Sequence, residues 1–175
     1  MRTIEVKVFT FDELSDKAKQ NAIETWSGGQ EYFWGDEAIE SLKQFVDHFN
    51  GNLSNWNIDF LDPYRNEYKL DLPKGMEDEE ILNLILSLGS YNKDTLKGDG
   101  ECKLSGYCMD ESLGDGIRES WFNDGERDLR ELVMAGINQW EIDVRKDCEY
   151  QCSEEYFAEC CEANEYEFTE DGELI

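Results

Sequence analysis

One histidine is available for nucleophilic catalysis in the 175-residue sequence. Every Ser-His-Asp or Cys-His scheme would have to use His48, because it is the only histidine. It precedes Phe49, beside the apolar stripe of a predicted helix, and this favours a boundary or surface position. The sequence has no G-x-S-x-G, H-E-x-x-H or P-loop pattern. We therefore predict that the protein is not an enzyme and has no catalytic residues.

Six cysteines form a second group that could carry chemistry. Four thiolates can hold a zinc ion, but the sequence contains no C-x-x-C pair. Cys148 continues a helical apolar stripe, and Cys160 and Cys161 flank Phe157, as small buried hydrophobic residues would. This pattern favours core thiols and predicts neither a metal nor a cofactor. A structural zinc site and a redox switch remain open as alternatives. The cysteines are Cys102, Cys108, Cys148, Cys152, Cys160 and Cys161.

Three stretches rich in glycine and aspartate, at 98–100, 110–116 and 123–125, suggest calcium loops. An EF-hand needs oxygen ligands at its first and third positions and a glycine at its sixth. With Gly116 at the sixth position, the third would be Leu113; with Gly125 there, the third would be Phe122. We interpret these stretches as turns.

Acidic side chains are concentrated near the C-terminus, where residues 147–175 include 11 acidic residues and no basic one. Glu155, Glu159 and Glu162 are spaced three and four apart, which places them on one helical face at a cost of about 0.2–0.5 kcal/mol per like-charged pair. One interpretation is a solvated face that keeps the protein in solution. The other is an array of carboxylates standing where a basic channel would bind phosphates. The candidate partner-binding residues are Glu154, Glu155, Glu159, Glu162, Glu165, Glu167, Glu170 and Asp171, with Tyr156 and Tyr166 as aromatic anchors.

The overall charge limits the classes of partner. The chain has 42 acidic and 16 basic residues, a net charge of −26. Direct nucleic-acid binding and attraction to an anionic membrane both need basic groups, so neither is expected. The chain is 39% hydrophobic and 13% aromatic, which is too much for a disordered acidic tract. A basic, nucleic-acid-binding protein is the predicted partner, and the oligomeric state is left open.

The N-terminus has no signal-peptide pattern, and the longest apolar stretch, near 81–88, is too short to span a bilayer. We expect a cytosolic protein with reduced thiols.

The elements that must position these groups follow from hydrophobic periodicity. In the first half, Ile4, Val6 and Val8 predict a strand, Ser15 is the expected N-cap of a helix ending at Gly28-Gly29, and a second helix starts near Trp34 and closes at Asn50-Gly51. A hairpin is predicted from two alternating runs: Trp56, Ile58 and Phe60, then Tyr68, Leu70 and Leu72.

The second half is richer in helices. A short helix over 81–88, a loop over 89–100, a strand over 101–108 and a helix over 111–122 are expected. A long helix follows from 123–125 to Cys148, and Ser153 is the expected N-cap of another. A closing hairpin or edge strand is expected over 166–175. The predicted fold is a single α+β domain over 1–175, with a small antiparallel sheet packed against several helices and a helix-rich C-terminal third.

Three stretches of the sequence carry a family resemblance: residues 11–20, residues 98–102 running on to Gly106-Tyr107, and residues 163–172. They resemble a loose group of small acidic proteins encoded by tailed bacteriophages. The resemblance implies a phage accessory protein acting in the bacterial host cytoplasm, and some members are labelled antitoxins. It supplies no functional residues, and neither Gly28-Gly29 nor Cys160-Cys161 has a place in it.

Charge and resemblance together suggest a binding protein. The leading hypothesis is an inhibitor of a host anti-phage defence complex (CRISPR, restriction or a related nuclease) that imitates nucleic acid. The alternative is an antitoxin-like or structural partner that binds one protein through apolar surface. Ionic strength distinguishes the two hypotheses, because the affinity of a nucleic-acid mimic for its partner falls steeply as salt is added.

Overall fold

A computed structural model of the chain describes residues 7–27, 32–99 and 104–175. The described residues form six α-helices and one two-stranded antiparallel sheet, which confirms the predicted α+β class. The chain separates into two compact units: unit 1 comprises residues 1–33 and 147–175, and unit 2 comprises residues 34–146. One domain over 1–175 stays a prediction. The elements are α1 (Asp16–Ser27), α2 (Gly35–His48), β1 (Asn52–Asn57), β2 (Glu67–Asp71), α3 (Asp78–Ser87), α4 (Met109–Glu119), α5 (Leu129–Gln151) and α6 (Glu154–Ala163).

Unit 1 is organised around an aromatic core. The Ser15 hydroxyl accepts a hydrogen bond from the Ala18 amide at 3.3 Å, which confirms Ser15 as the N-cap of α1. The ring of Phe157 in α6 meets Phe11 edge-on, with 5.1 Å between centroids. One buried cluster of this unit consists of Phe11, Leu14, Ala18, Ala22, Phe157, Cys161 and Phe168.

The C-terminal tail is tied into unit 1 by backbone hydrogen bonds. Phe9 and Phe168 exchange two such bonds, at 3.0 and 2.8 Å. Gly172 has a φ of +86°, and a Cβ on it would overlap the carbonyl oxygen of Ala18; only glycine fits there. The expected closing hairpin is reduced to isolated bridges, one from Phe168 to Phe9 and one from Phe168 to Leu174.

Unit 2 has a mainly aliphatic core in which helices approach closely. Leu113 and Ile117 of α4, with Leu132 and Ile137 of α5, have no exposed surface. At Gly136 an added Cβ would lie 2.6 Å from Cζ of Phe45 and 2.8 Å from the Leu113 carbonyl oxygen. The sequence expectation of an apolar stripe along this helix is confirmed. Its start is not at 123–125 but at Leu129, because the Asp128 carboxylate accepts from the amides of residues 130 and 131, at 2.9 and 3.2 Å.

The small sheet corrects one expected strand. β2 lies where the alternation places it, but β1 spans Asn52–Asn57 and leaves Ile58 and Phe60 outside. The register shifts between Ser54 and Asn57. Asn55 has a φ of +50°, so the β1 backbone is irregular there and the period-two pattern does not mark the paired residues.

Two further expectations change. Residues 104–108 form bends and turns rather than a strand, because the Asp110 carboxylate accepts from the amides of Ser105 and Gly106, at 2.8 and 3.1 Å. Trp34, expected on the apolar stripe of α2, is 43% exposed. The strand over Ile4 and Val6, the Gly28-Gly29 helix end and residues 101–103 lie outside the described residues.

Candidate protein-binding surface

Helix α6 presents its carboxylates because its apolar side is anchored in unit 1. The Ser153 hydroxyl accepts from the Tyr156 amide at 3.2 Å, which confirms the predicted N-cap. Phe157 and Cys161, four residues apart, are buried. The helical period therefore turns Glu159, midway between them, outward.

All eight candidate carboxylates are exposed. Within the described parts of the chain none of the eight takes part in an ion pair. Glu154 and Glu155 lie in the first turn of α6, where the helix dipole favours negative charge. Glu159 and Glu162 have no such compensation and repel each other across one turn. We name this set of eight, from Glu154 to Asp171, the carboxylate surface.

The tail carboxylates are held by bonds to the body of unit 1. The Tyr166 amide donates to the Cys161 carbonyl at 2.9 Å, directly after α6. Phe168 is buried, whereas Glu167 before it is exposed and Thr169 after it is half-buried. Asn21 of α1 donates through Nδ2 to the Asp171 carbonyl oxygen at 3.2 Å. The acidic side chains of the tail thus project from a fixed backbone.

The two tyrosines expected as exposed anchors are half-buried. Tyr156 packs edge-on against Tyr150, with 5.4 Å between centroids. A hydrogen bond with Cys160, burial and nearby negative charges raise the pKa of Tyr156. Tyr166 packs against the aromatic core.

Tyr150 is the aromatic residue that sequence reasoning missed. It is 41% exposed, and its hydroxyl donates to Oε2 of Glu159 at 2.8 Å. That hydrogen bond, followed by burial and the charges of Glu159 and Glu155, raises the pKa of Tyr150. Its position, nine residues before Glu159 and across the α5–α6 turn, gave no local signal.

Unit 1 also contains a cavity of about 260 Å³ that the sequence pattern did not indicate. Trp26 of α1 lines this cavity together with residues of the distant tail. The lining residues are Ala22, Thr25, Trp26, Phe157, Tyr166, Phe168, Gly172 and Leu174.

His48 has a structural position at the end of α2. Its Nε2 lies 2.9 Å from the Leu84 carbonyl oxygen and 3.1 Å from the Ser87 hydroxyl. A carbonyl oxygen only accepts, so Nε2 carries the proton and is not a base toward Ser87. The half-buried ring bonds α2 to α3, which agrees with the boundary position expected from the sequence.

The cysteines divide by exposure. Cys148 and Cys161 are buried and Cys160 is half-buried, whereas Cys152 is exposed. Burial, together with Cys160 and Asp12, raises the pKa of Cys161 to about 11, which keeps this thiol protonated and unreactive at neutral pH. Among the described residues no three His, Cys, Asp or Glu side chains are placed to hold a metal ion. Cys102 lies outside those residues.

The glycine-aspartate stretches of unit 2 have structural partners. Oδ1 of Asp115 accepts from the Gly98 amide at 2.8 Å and pairs with Nη1 of Arg118 at 3.3 Å. Burial lowers the pKa of Arg118, against the opposing charge of Asp115. This carboxylate therefore fastens the 89–99 loop to α4. The interpretation of 110–116 as a turn is wrong, because these residues lie within α4.

Within the described residues no helix combines the length and apolar composition that crossing a bilayer requires. No protein-family model, curated protein or solved structure matches the chain.

Proposed function

We propose that the protein is a phage-encoded inhibitor that works in the host cytoplasm, where its carboxylate surface occupies the nucleic-acid-binding surface of a host anti-phage defence complex. The complex would be a CRISPR, restriction or related nuclease assembly. The observation that carries the proposal is the carboxylate surface itself, in which eight exposed acidic side chains on a fixed backbone have no cationic partner among the described residues.

A basic channel offers what these carboxylates lack. Nucleic-acid-binding surfaces neutralise phosphates with lysine and arginine, and a carboxylate accepts the same charge-assisted hydrogen bonds as a phosphate. Docking would relieve the repulsion between Glu159 and Glu162. The net charge of −26 would steer the encounter, so association should slow steeply as salt is added.

The protein needs no chemistry of its own for this role. Its effect would be competition: the host complex cannot bind its nucleic-acid target while the inhibitor fills the channel. The resemblance to acidic phage proteins supports this setting, because a phage gains when a host nuclease is blocked.

One observation favours the alternative, an antitoxin-like partner that docks through apolar surface. Leu174 and Ile175, at the end of the tail, are 58% and 63% exposed, and Leu174 lines the cavity of unit 1. Docking of this kind would change little with salt.

The test compares two triple variants that remove the same charge. Glu155, Glu159 and Glu162 are replaced by glutamine on the carboxylate surface. The matched control replaces the exposed Glu77, Glu79 and Glu80 at the start of α3. Glutamine keeps a hydrogen-bond acceptor for Tyr150. Each protein is immobilised and used to capture host proteins at low and high salt, and the bound proteins are identified by mass.

The captured complex is then purified, and its binding to its own nucleic acid is measured in the presence of each variant. We expect the α6 triple variant to inhibit at least about tenfold less well and the control within about twofold of wild type. Equal inhibition by all three proteins, or capture that is insensitive to salt, would show that mimicry is wrong and would favour apolar docking.

A further inference from the structure

We propose that the cavity of unit 1 receives a lysine or arginine side chain of a peptide segment belonging to the partner. This rests on the proposed function, which makes the partner a basic protein. The cavity would add a site that recognises an individual cationic side chain. The carboxylates, in contrast, attract any positively charged surface.

The walls suit a cation because they are aromatic. Four of the lining residues are aromatic: Trp26, Phe157, Tyr166 and Phe168. The rings of Trp26 and Phe157 lie 5.0 Å apart between centroids. Aromatic faces attract ammonium and guanidinium groups through their quadrupole. A volume of about 260 Å³ exceeds the roughly 150 Å³ that holds a benzene molecule in an engineered cavity, so a long side chain has room.

The surroundings are acidic and therefore disfavour an anion. Glu165 and Glu167 flank Tyr166, and Asp171 and Glu173 flank Gly172; all four are exposed. No basic residue occurs in 147–175. A cation that enters is attracted by these charges as well as by the rings, and a neutral hydrocarbon of the same size gains only from burial.

An unsatisfied donor explains why the cation should belong to a peptide. Nε1 of Trp26 is buried and has no hydrogen-bond partner among the described residues. Lysine and arginine side chains are donors only, but the peptide that carries them brings a backbone carbonyl. Because Nε1 has almost no exposed surface, the Trp26 ring must shift before that carbonyl can accept from it. A free ammonium ion or a simple amine would leave Nε1 without a partner.

The same aromatic core already binds one cation. Nζ of Lys19 lies 5.3 Å from the centroid of the Phe11 ring, and Phe11 packs against both Phe157 and Phe168. Phe11 does not line the cavity, so Lys19 shows that rings of this cluster attract an ammonium group without itself occupying the proposed site.

Three capped amino acids test the cavity without any partner. The probes are the N-acetyl methylamides of lysine, arginine and norleucine, added to 15N-labelled full-length protein while the indole N–H resonance of Trp26 is followed. Norleucine has the four-carbon stem of lysine and the same backbone carbonyls but no charge. We expect lysine or arginine to shift this resonance saturably and to bind about 2- to 30-fold more tightly than norleucine.

A matched pair of variants checks the location. Thr25 is exposed and lines the cavity, so Thr25→Lys places a competing ammonium group at the site while Thr25→Gln adds similar bulk without charge. We expect Thr25→Lys to weaken probe binding at least about threefold relative to Thr25→Gln. Equal affinity for lysine and norleucine, or no shift of the Trp26 indole with any probe, would overturn the proposal.

The result of the probe titration can be distinguished from the result of the inhibition test of the proposed function. The variant carrying glutamine at 155, 159 and 162 keeps every lining residue, so it should bind the lysine probe within about twofold of wild type even though it loses inhibition. A cavity without cation preference would leave mimicry standing, and a failure of mimicry would leave the probe titration unchanged.

Discussion

The two units carry the same net charge on very different lengths of chain. Unit 1 has 17 acidic and 4 basic residues in 62 positions, and unit 2 has 25 acidic and 12 basic residues in 113, so each has a net charge of −13. In unit 2, Asp115 is paired with both Arg118 and Lys97, at 3.3 and 3.5 Å. Arg118 is 2% exposed and its guanidinium lies 4.8 Å from the Tyr91 ring centroid.

The units also differ in the side chains that line their cavities. Close backbone packing occurs in both, since a Cβ has no room at Gly136 in unit 2 or at Gly172 in unit 1. The cavity of about 260 Å³ in unit 1 is lined mainly by aromatic and aliphatic residues. Unit 2 has hollows of about 450 and 510 Å³ that are lined in part by charged side chains. The difference therefore lies in the chemistry of the lining and not in how closely the backbone packs.

The largest effect should come from a glycine pair that tests packing in the two units. Gly172 in unit 1 and Gly125 in unit 2 both have positive φ, but only Gly172 would collide with a neighbour on gaining a Cβ. Gly125→Ala should cost about 1–2 kcal/mol from backbone strain. Gly172→Ala adds overpacking of about 1–3 kcal/mol against the backbone of Ala18. Urea unfolding of the three proteins measures the difference.

Equal losses from the two substitutions would mean that the tail moves away from α1 without penalty. The tail carboxylates would then not project from a fixed backbone. An unchanged slope of the unfolding curve would show that the comparison concerns native-state stability.

A smaller effect should appear on raising the pH, through Cys161. Its folded-state pKa of about 11 lies above its ordinary value of 9.0, so the thiol's contribution to stability is fully present below pH 9 and is lost as the pH rises to 11. The wild type should lose about 2 kcal/mol over this range that Cys161→Ala does not lose. Unfolding free energies of both proteins, with thiolate absorbance at 240 nm, measure this.

Unit 2 supplies the reference for that titration. Burial, with the charge of Glu141, raises the pKa of Tyr68 from 10.0 to about 12, so its contribution holds until pH 10. A decline between pH 9 and 10 that is absent from Cys161→Ala therefore reports on unit 1. If the stability difference between the two proteins stayed constant from pH 8 to 11, the aromatic core around Cys161 would be open to water.

Local signals in the sequence predicted most helices and the second strand. They could not predict contacts between segments that are distant in the sequence. Ser15 and Ser153 were identified as N-caps because a cap and its helix are adjacent in sequence. The strand expected over 101–108 fails at 104–108 because the side chain of Asp110 takes the amides of Ser105 and Gly106. The alternation of apolar and polar residues gives no information about a side chain that competes with a neighbouring strand for backbone amides.

The candidate site divides in the same way. Exposure of Glu155, Glu159 and Glu162 follows from helical period once Phe157 is recognised as buried. The cavity needs Trp26 and Leu174, which are separated by nearly the whole chain, and the bond from Tyr150 to Glu159 crosses a turn. Such features arise from tertiary packing, for which one sequence carries no periodic signal.

The smallest predicted effect concerns the sign of a single charge. Glu162→Gln on α6 removes a like-charge neighbour of Glu159 and should stabilise the protein by about 0.2–0.5 kcal/mol. Glu80→Gln in unit 2 removes a carboxylate from the first turn of α3, where the helix dipole favours it, and should destabilise the protein by about 0.3–1 kcal/mol. Both are measured by thermal unfolding at low salt, and both should fade in 1 M salt, where the screening length is about 3 Å.

If the two changes in stability have opposite signs, the Glu162 carboxylate destabilises the folded protein and the Glu80 carboxylate stabilises it. Destabilisation by Glu162→Gln would instead reveal a favourable local partner for that carboxylate, and the surface would no longer be a strained array that a basic protein relieves. Because glutamate and glutamine have similar helix propensity, the sign reports on charge alone. A difference of a few tenths of a kcal/mol therefore bears directly on whether the acidic surface is more than a solvated face.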